Sequence, residues 1–295
     1  MTVGNKPYPH VSIIIGDCRR VLPCLPLNSF SALVTSPPYW NVRSYGGGDG
    51  EVGRTPTASA WLDEISACMA ATRPLLDPEA VAWLNLGDRF APDGSIMLLP
   101  YRAGIRLQDD GWFLRTDIVW HRPNALPEPV RKRPVRCHEA LLMLAHNSGH
   151  RYDPAAVREP ATMKPQRRLT RRTAAGQPST PAHRVGSQYV RAQSGLDSPD
   201  GLRHLRSVWS IATEPGRWGH PAPFPLALAD ICLRASACPL GSHVLDPFGG
   251  SGTTALAAWK LGLGCTLVEL DAGYAVRARD RLLAEGVPNE HITVG

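Results

Sequence analysis

The sequence has no C-x-x-C pair among its seven cysteines, and it has no run of about eighteen apolar residues. The first absence leaves no cysteine spacing typical of a zinc site, so no metal is expected, and the odd cysteine count favours free thiols. The second absence predicts a chain without a membrane-spanning helix. The N-terminal segment MTVGNKPYPHVSIII lacks the basic and then apolar layout of a signal peptide, which favours a cytoplasmic protein.

Acidic residues are fewer than basic residues, with 26 Asp and Glu against 32 Lys and Arg, so the formal net charge is +6 and the pI is about 9.1. A modest positive excess is compatible with a polyanionic partner such as nucleic acid. Hydrophobic residues make up 43% of the 295 residues, which is enough for a sizeable core in one large domain or two modest ones.

Short apolar runs alternate with amphipathic stretches in both halves of the chain. The first half has predicted strands at residues 11–15, 33–35, 80–86, 114–120 and 140–145 and predicted helices at 59–76 and 96–108. The second half has predicted strands at 243–245 and 265–270 and predicted helices at 224–235, 253–261 and 272–284. Such alternation predicts an α/β fold with a parallel sheet and helices on both faces.

The alternation is interrupted between residues 153 and 206, where apolar periodicity is weak and basic residues outnumber acidic ones. We expect residues 1–152 and 207–295 to be the two halves of one α/β domain, with 153–206 as an insertion. The insertion is interpreted either as a solvated linker or as a module that contacts phosphates. In the second interpretation, the candidate DNA-binding residues are Arg167, Arg168, Arg171, Arg172 and Arg184.

The segment HVLDPFGGSGTTALAAWKLG has the pattern of a strand, a glycine loop and a helix. Gly250, Gly252 and Ala255 match the G-x-G-x-x-[G/A] fingerprint in that context. Glu269 lies 19 residues after Gly250, at the end of the next predicted strand, where a carboxylate can accept hydrogen bonds from ribose hydroxyls. Together these features predict a site for a nucleoside-bearing cofactor.

The residues around the glycine loop bear on which cofactor it holds. The loop has no P-loop lysine, which disfavours a nucleoside triphosphate. Asp246 precedes the loop, and an anion there opposes a pyrophosphate but suits the ammonium group of a methionine moiety. Thr253 and Thr254 open the next helix, whose N-terminus favours a carboxylate. The set favours S-adenosylmethionine, although the loop and Glu269 alone would also permit a dinucleotide-dependent oxidoreductase.

The position of the glycine loop in the chain is informative too. Few residues follow it, so they can supply only one or two further strands. A doubly wound sheet needs several more, and these must come from the part of the chain before the loop. The order of elements therefore predicts a circular permutation relative to folds that begin with their glycine loop.

A second motif, TSPPYW, includes the end of the predicted strand at residues 33–35. Pro37 and Pro38 fix an extended backbone at the carboxyl edge of the sheet, where open α/β folds bind ligands. Ser36 adds a hydroxyl, and Tyr39 adds a flat face on which a base can stack. Acceptors beside an aromatic side chain suit the amino group of an extrahelical base. The plainer interpretation is a polyproline turn with a structural aromatic residue.

TSPPYW followed much later by DPFGGSGTT resembles the arrangement of the β-class amino-methyltransferases, in which the catalytic motif precedes the cofactor motif. The resemblance covers most of the chain, since VAWLNLGD at 81–88, GWFLRTDIVWHRPNALPEPVRKR at 111–133 and HPAPFP at 220–225 resemble further segments of that class. The basic insertion falls where the class carries its target-recognition region. The resemblance implies a circularly permuted, Rossmann-like methyltransferase fold that uses S-adenosylmethionine.

The resemblance also implies roles for individual residues. Ser36 and the carbonyl of Pro37 would accept hydrogen bonds from the target amino group, and Tyr39 would stack on the flipped base, with Pro38 completing the motif. The residues implied to hold the cofactor are Asp246, Phe248, Gly250, Gly252 and Glu269, with Phe224 and His220 at its methionine end.

In this class, a serine as the first residue of the motif is associated with cytosine N4, and an aspartate or asparagine more often with adenine N6. We therefore expect a site-specific methyltransferase acting on cytosine N4 in double-stranded DNA, with adenine N6 as the alternative. A restriction endonuclease acting on the same site is the candidate counterpart, and monomer and homodimer both stay open. A non-catalytic DNA-binding protein and an enzyme acting on RNA are rival functions.

Overall fold

The computed structural model describes residues 9–42, 51–160, 201–214 and 224–295. Within these ranges, nine strands form one sheet and two more form a separate short ladder. In chain order the elements are β1 (Val11–Ile15), α1 (Cys18–Val21), β2 (Phe30–Thr35), α2 (Ala58–Thr72), β3 (Leu76–Leu86), α3 (Leu99–Asp109), β4 (Phe113–His121), β5 (His138–Ala145), β6 (Glu159–Pro160), β7 (Leu202–Arg203), β8 (Val208–Ser210), α4 (Leu226–Ala235), β9 (His243–Asp246), α5 (Thr253–Lys260), β10 (Gly264–Glu269), α6 (Ala272–Ala284) and β11 (Ile292–Val294).

The large sheet runs in the order β11-β1-β10-β9-β2-β3-β5-β4-β8. The strands from β11 to β3 are parallel to one another, whereas β5 runs antiparallel between β3 and β4, and β8 is parallel to β4. Strand β2 from the first half of the chain pairs with β9 from the second half. The sheet confirms the predicted α/β fold and its circular permutation, because both halves contribute to one continuous set of parallel strands.

Strand β3 has buried residues on both faces. Leu84 packs in a core cluster with Trp61 of α2 and Leu107 of α3. The adjacent Trp83 points to the opposite face, since neighbouring side chains alternate in a strand, and its Nε1 donates to Ser236 Oγ just after α4, at 2.9 Å. Helices therefore cover both faces of the sheet, which explains why β2 and the second half of β3 are continuous buried runs.

The direction of β5 and the shortest elements differ from the sequence-based expectation. The expectation was a parallel sheet, but β5 is antiparallel to both neighbours. Its apolar run fits a buried strand in either direction, so periodicity carries no information on orientation. The pattern also does not predict α1, β8 and β11, because elements of three or four residues are too short to show a period.

Two helices are shorter than the apolar pattern predicts. Helix α2 ends at Thr72, because Pro74 lies in the 3₁₀ turn that follows and proline disfavours α-helix at the residue before it. Helix α3 begins only at Leu99, because the preceding Leu98 has a left-handed φ of 56°. In both cases a local backbone constraint overrides the hydrophobic period.

The chain divides into two units, residues 1–152 with 207–295, and residues 153–206. In the described part of the second unit, β6 and β7 pair antiparallel, and the Glu159 carboxylate accepts from Arg203 Nε and Arg206 Nε at 2.8 Å each. The candidate DNA-binding residues Arg167, Arg168, Arg171, Arg172 and Arg184 lie outside the described residues. Their role stays a prediction.

The structure bears on two expectations from composition. In the described ranges, no helix combines the length and the apolar character needed to cross a bilayer. All seven cysteines lie in those ranges and are free thiols; Cys18, Cys68, Cys232 and Cys265 are buried, whereas Cys24 is exposed.

Candidate functional site

The two sequence motifs meet at one edge of the sheet. Strands β2 and β9 are parallel neighbours, with Leu33 opposite Leu245, so the segments that follow them open from the same edge. The end of β2 is tied to the end of β9 by a hydrogen bond from Thr35 Oγ1 to Asp246 Oδ1, at 2.7 Å. The segments line a common cavity of about 740 Å³. The permuted chain thus forms one site from motifs more than two hundred residues apart.

Most of the residues predicted for the site line this cavity, but not all do. The predicted residues that line it are Ser36, Pro37, Pro38, Tyr39, Phe224, Phe248, Gly250, Thr253 and Glu269. The predicted residues that are not among its lining are Asp246, Gly252 and Thr254. His220 lies outside the described residues.

Asp246 faces the protein interior. Its carboxylate is buried and accepts from Thr35 Oγ1, from Thr254 Oγ1 at 2.6 Å and from the backbone N–H of Phe248 at 3.1 Å. Burial raises the pKa of this carboxyl, while the three hydrogen bonds act in the opposite direction. In this structure Asp246 joins β2, β9 and the start of α5, which differs from the expected contact with a ligand ammonium.

The conformations and surroundings of the loop glycines explain why glycine is needed at these positions. Gly250 and Gly252 have φ values of 50° and 77°, in the left-handed region where side chains are disfavoured. A Cβ on Gly249 would lie 2.8 Å from the Cβ of Leu267, so this residue allows the loop to pack directly on β10. The loop can therefore turn sharply between β9 and α5 with its backbone against the neighbouring strand.

The two threonines that begin α5 have partners within the protein. Thr254 Oγ1 donates to Asp246, and Thr253 Oγ1 accepts from Arg281 Nη1 of α6 at 2.8 Å. Arg281 is itself buried, which lowers its pKa, and it also donates to Ser251. These contacts hold the loop and the first turn of α5 in place, a role that sequence spacing does not predict for Arg281.

Glu269 lies at the other side of the glycine loop, at the end of β10. Its Oε2 accepts from the backbone N–H of Gly250 at 2.8 Å, and its Oε1 accepts from that of Asp271 at 2.9 Å. Burial is the main cause that raises the pKa of this carboxyl. The side chain is fixed in the cavity wall, and each carboxylate oxygen keeps a further lone pair for a ligand.

The backbone of the TSPPYW motif is anchored from outside the sheet. Pro38 cannot donate, but its carbonyl accepts from Trp61 Nε1 of α2 at 3.0 Å. Trp40 Nε1 donates to the carbonyl of Thr55 at 3.0 Å. The carbonyl of Pro38 is thus part of the scaffold, which fixes where Ser36 and Tyr39 lie.

A polar network surrounds Ser36 and Tyr39 in the cavity wall. Tyr39 Oη donates to Glu139 Oε2 at 2.6 Å and lies 3.3 Å from Ser36 Oγ. Asn85 Nδ2 donates to Tyr39 Oη at 2.8 Å and to Glu139 Oε2 at 2.9 Å. The other oxygen of Glu139 lies 3.1 Å from Arg122 Nη1. One carboxylate therefore accepts two hydrogen bonds and pairs with a guanidinium.

Sequence analysis does not identify Asn85, Arg122 or Glu139 as site residues. Asn85 is the last polar residue of β3, and Glu139 comes from β5, whose antiparallel direction brings its first residues to the cavity. The available signal was a charged residue at the start of an otherwise apolar strand. That signal alone does not say which edge of the sheet the residue reaches.

The chain is similar to known proteins over most of its length. A family model described as DNA methylase matches residues 30–279. The chain is 32% identical to the type II methyltransferase M.SmaI of Serratia marcescens, over 92% of this chain and 90% of that protein. It is 34% identical to the type II methyltransferase M.XycI of Xanthomonas campestris pv. cyanopsidis, over 94% and 90%. The chain belongs to the DNA methylase family.

Solved structures agree with this assignment. The methylase matches TTHA0409 of Thermus thermophilus, described as a DNA modification methylase and solved with S-adenosyl-L-methionine, with 26% identity, a TM-score of 0.61 and coverage of 96% and 99%. PvuII DNA methyltransferase (cytosine-N4-specific), at 21% identity, shares the fold with a TM-score of 0.68 over 98% and 93% of the two chains. The chain is a DNA amino-methyltransferase, and S-adenosylmethionine is its cofactor.

The cavity of the methylase fits this cofactor. Its volume of about 740 Å³ lies in the usual range for small-molecule sites. Its walls combine the aromatic side chains of Phe224 and Phe248 with the fixed carboxylate of Glu269. Apolar walls with a few oriented polar groups suit a nucleoside with a charged tail.

The ring of Tyr39 depends on the absence of a side chain at Gly87. A Cβ on Gly87 would overlap this ring, at 2.6 Å from Cδ2. The ring cannot move away easily, because its hydroxyl is held by Asn85 and Glu139. Gly87, which follows β3, is therefore a position where this ring requires a glycine, and the sequence analysis matches it only within a longer segment.

We expect Gly87→Ala to lower methyl transfer by about tenfold or more, because it displaces the Tyr39 ring from its hydrogen-bonded position. Cofactor affinity, measured by calorimetry, should stay essentially unchanged, since the glycine loop is not touched. Gly104→Ala is the matched control: its Cβ would make ordinary contacts, 3.4 Å from Leu114 Cδ2, in the middle of α3. A Gly87→Ala variant with the activity of the Gly104→Ala control would contradict the assignment.

Proposed function

We propose that the methylase transfers the methyl group of S-adenosylmethionine to the exocyclic N4 of cytosine at a specific site in double-stranded DNA, by base flipping and direct transfer. The observation that carries the proposal is the position of Ser36, beside Tyr39, in the cavity that also contains the glycine loop. The resemblance associates a serine at this position with cytosine. The relatives' names, type II methyltransferases, support action on DNA beside a restriction endonuclease that acts on the same site.

The proposed base subsite is formed by residues 36–39. Ser36 Oγ and the carbonyl of Pro37 accept hydrogen bonds from the target amino group, and the ring of Tyr39 stacks on the base. Pro38 fixes the backbone through its contact with Trp61. An exocyclic amine conjugated to its ring is a poor nucleophile, and acceptors on its protons draw it towards a tetrahedral geometry that frees the lone pair.

Base flipping is proposed because the reacting groups lie in a cavity wall. Ser36 and Tyr39 are partly buried, and Pro37 is buried. A base inside a duplex cannot bring its amino group to such a depth, so the nucleotide must leave the stack. The arginines of the 153–206 insertion remain the proposed phosphate contacts on the surrounding duplex.

The proposed cofactor subsite is formed by the glycine loop, the end of β10 and the aromatic residues beside them. Glu269 would hold the ribose hydroxyls, Phe248 and Phe224 would contact the apolar parts, and the backbone of Gly250 would allow a close approach. Asp246, Gly252 and Thr254 hold the loop in the shape that this requires. Thr253 begins the helix whose N-terminus would favour the carboxylate of the methionine moiety, and His220 stays a predicted contact at the same end.

The chemistry supplied by the bound cofactor is an electrophilic methyl group on a positively charged sulfonium. The residues of the chain bring the amine to it, hold the two groups in line and exclude water, so orientation supplies much of the rate. The acceptors around Ser36 stabilise positive charge as it develops on the base. No cysteine nucleophile is needed for transfer to an amino nitrogen.

The experiment is mass spectrometry of nucleosides from DNA incubated with the methylase and S-adenosylmethionine. N4-methylcytosine is the expected product. N6-methyladenine would refute the cytosine assignment but keep the fold, the cofactor and the two subsites. The absence of any methylated deoxynucleoside from sequence-diverse DNA would contradict the proposal, and the same assay on RNA would then test the rival polymer.

A further inference from the structure

We propose that Glu139 is the positioning carboxylate of the catalytic motif and the final acceptor of the proton that the target amine loses. The inference deepens the proposed function, because it needs an amino group as the methyl acceptor. It does not depend on which base carries that group. Glu139 acts on the amine through Tyr39 and Ser36, so it is a positioning residue in this scheme.

The hydrogen bonds fix the direction of donation in the network. Tyr39 Oη donates its only proton to Glu139 Oε2, at 2.6 Å, so the same oxygen can only accept from its other neighbours. Ser36 Oγ, 3.3 Å away, is one of those neighbours and can donate to it. Once the Ser36 proton points at Tyr39, Ser36 presents only lone pairs: one is approached by Asn85 Nδ2 at 3.4 Å, and the other remains for an incoming amine. Glu139 thus makes Ser36 an acceptor, which is what the proposed chemistry requires.

Asn85 and Arg122 hold Glu139 in this role. Asn85 Nδ2 donates to both Tyr39 Oη and Glu139 Oε2, which locks the phenol and the carboxylate together. Arg122 Nη1 lies 3.1 Å from Glu139 Oε1, so both carboxylate oxygens of Glu139 have a partner that fixes their position. The side chains of Arg122 and Glu139 are only 26% and 13% exposed, so the pair is weakly screened by solvent.

The same chain of groups accounts for the proton released in each turnover. Transfer forms an N–C bond as the S–C bond breaks with its electron pair remaining on sulfur, and the nitrogen is left with one proton too many. That proton passes to Ser36 Oγ as the Ser36 proton passes to Tyr39 Oη and the Tyr39 proton passes to Glu139 Oε2. The amine ends neutral, Glu139 ends as a carboxylic acid, and it returns its proton to water through the open cavity.

The test uses single-turnover transfer of a labelled methyl group to sequence-diverse DNA, with E139Q, E139D and E139A in the full-length methylase. We expect E139Q to lower the rate roughly 100-fold, with cofactor Kd and Tm close to the wild-type values. E139D should recover part of the rate, because it restores a carboxylate one methylene further away. Formate should partly restore E139A, because Glu139 lines an open cavity that a small carboxylate can enter.

Glu79→Gln is the matched control, because Glu79 also pairs with an arginine, Arg151, at 3.2 Å. Glu79 lies near the start of β3, whereas Asn85 of the network lies near its end. The Glu79→Gln variant should retain the wild-type rate.

A near-wild-type rate in E139Q overturns the proposal. It is also overturned if E139Q loses cofactor affinity or Tm in parallel with rate, or if neither formate nor aspartate restores any rate. If E139A does not fold, the transfer rate of E139D relative to that of E139Q decides whether the carboxylate is required. The labelled product counts either base, so an adenine product would refute the cytosine assignment and leave this inference standing.

Discussion

Ser36→Ala is expected to lower the rate of methyl transfer by roughly 100-fold, while the Kd for S-adenosylmethionine stays essentially unchanged. The hydroxyl lies in the cavity wall, 3.3 Å from Tyr39 Oη, and it makes no hydrogen bond to the glycine loop among the described residues. Alanine removes an acceptor whose value is greatest as positive charge develops on the amine. The loss therefore falls on the transition state more than on either bound ground state.

The measurement is single-turnover transfer together with cofactor titration by calorimetry. Ser29→Ala is the matched control, since Ser29 immediately precedes the strand that Ser36 follows, and its hydroxyl donates only to the carbonyl of Leu27 at 2.9 Å. This control should behave as the wild type. An equal loss of rate and cofactor affinity in Ser36→Ala would reject Ser36 as a catalytic group, and unchanged rate would reject the proposed base subsite.

The contrast between Ser36 and Glu139 shows which parts of the site can be predicted from sequence. Ser36 and Gly250 each follow a strand of a recognisable motif, and parallel strands bring their carboxyl ends to one edge, so their proximity follows from the pattern. Glu139 reaches the same edge only because β5 is antiparallel. Nothing in an apolar run specifies strand direction, and so the third contributor to the site is visible only in the fold.

Asp246 illustrates a second reason why the sequence alone does not give the whole site. Its place beside the glycine loop follows from the sequence, and in the structure it is the last residue of β9. The orientation of its side chain is decided by Thr35, 211 residues earlier in the chain, and by Thr254. A buried carboxylate turns towards the nearest set of donors, and those donors are assembled by strand pairing rather than by local sequence. The sequence thus locates the residue without giving its partners.

Asp246→Ala is expected to destabilise the methylase by about 3 kcal/mol or more, because it leaves Thr35 Oγ1 and the Phe248 N–H without their acceptor in a buried place. Thr254 Oγ1 keeps only its longer contact with the carbonyl of Val34, at 3.3 Å. A loss of that size corresponds to a Tm lower by roughly 6–10 °C. Cofactor affinity should fall as well, since the same bonds hold the glycine loop. Thermal melting and calorimetry measure the two effects.

Asp246→Asn is the matched variant, and it should lower the free energy of unfolding by less than about 1 kcal/mol. An amide oxygen in place of Oδ1 still accepts from Thr35 and Phe248. The amide nitrogen in place of Oδ2 can donate to Thr254 Oγ1, whose proton then goes to the carbonyl of Val34, already 3.3 Å away. If Asn and Ala were equally damaging, the charge of Asp246 would matter more than its hydrogen bonds, contrary to this account.

The pH dependence of the same pair of proteins gives an independent check. The pKa of Asp246 in the folded protein is raised above its usual value of 3.8, mainly by burial. A raised folded-state pKa means that this group contributes stability that is fully present below 3.8 and is lost as pH rises through the folded-state value. Other groups titrate alike in both proteins, so the Tm of the wild type minus that of Asp246→Asn should be largest in acid and should decline to a plateau. A difference that grows with pH would mean that folding favours the ionised carboxylate, so that the hydrogen bonds from Thr35, Thr254 and Phe248 outweigh the desolvation of Asp246.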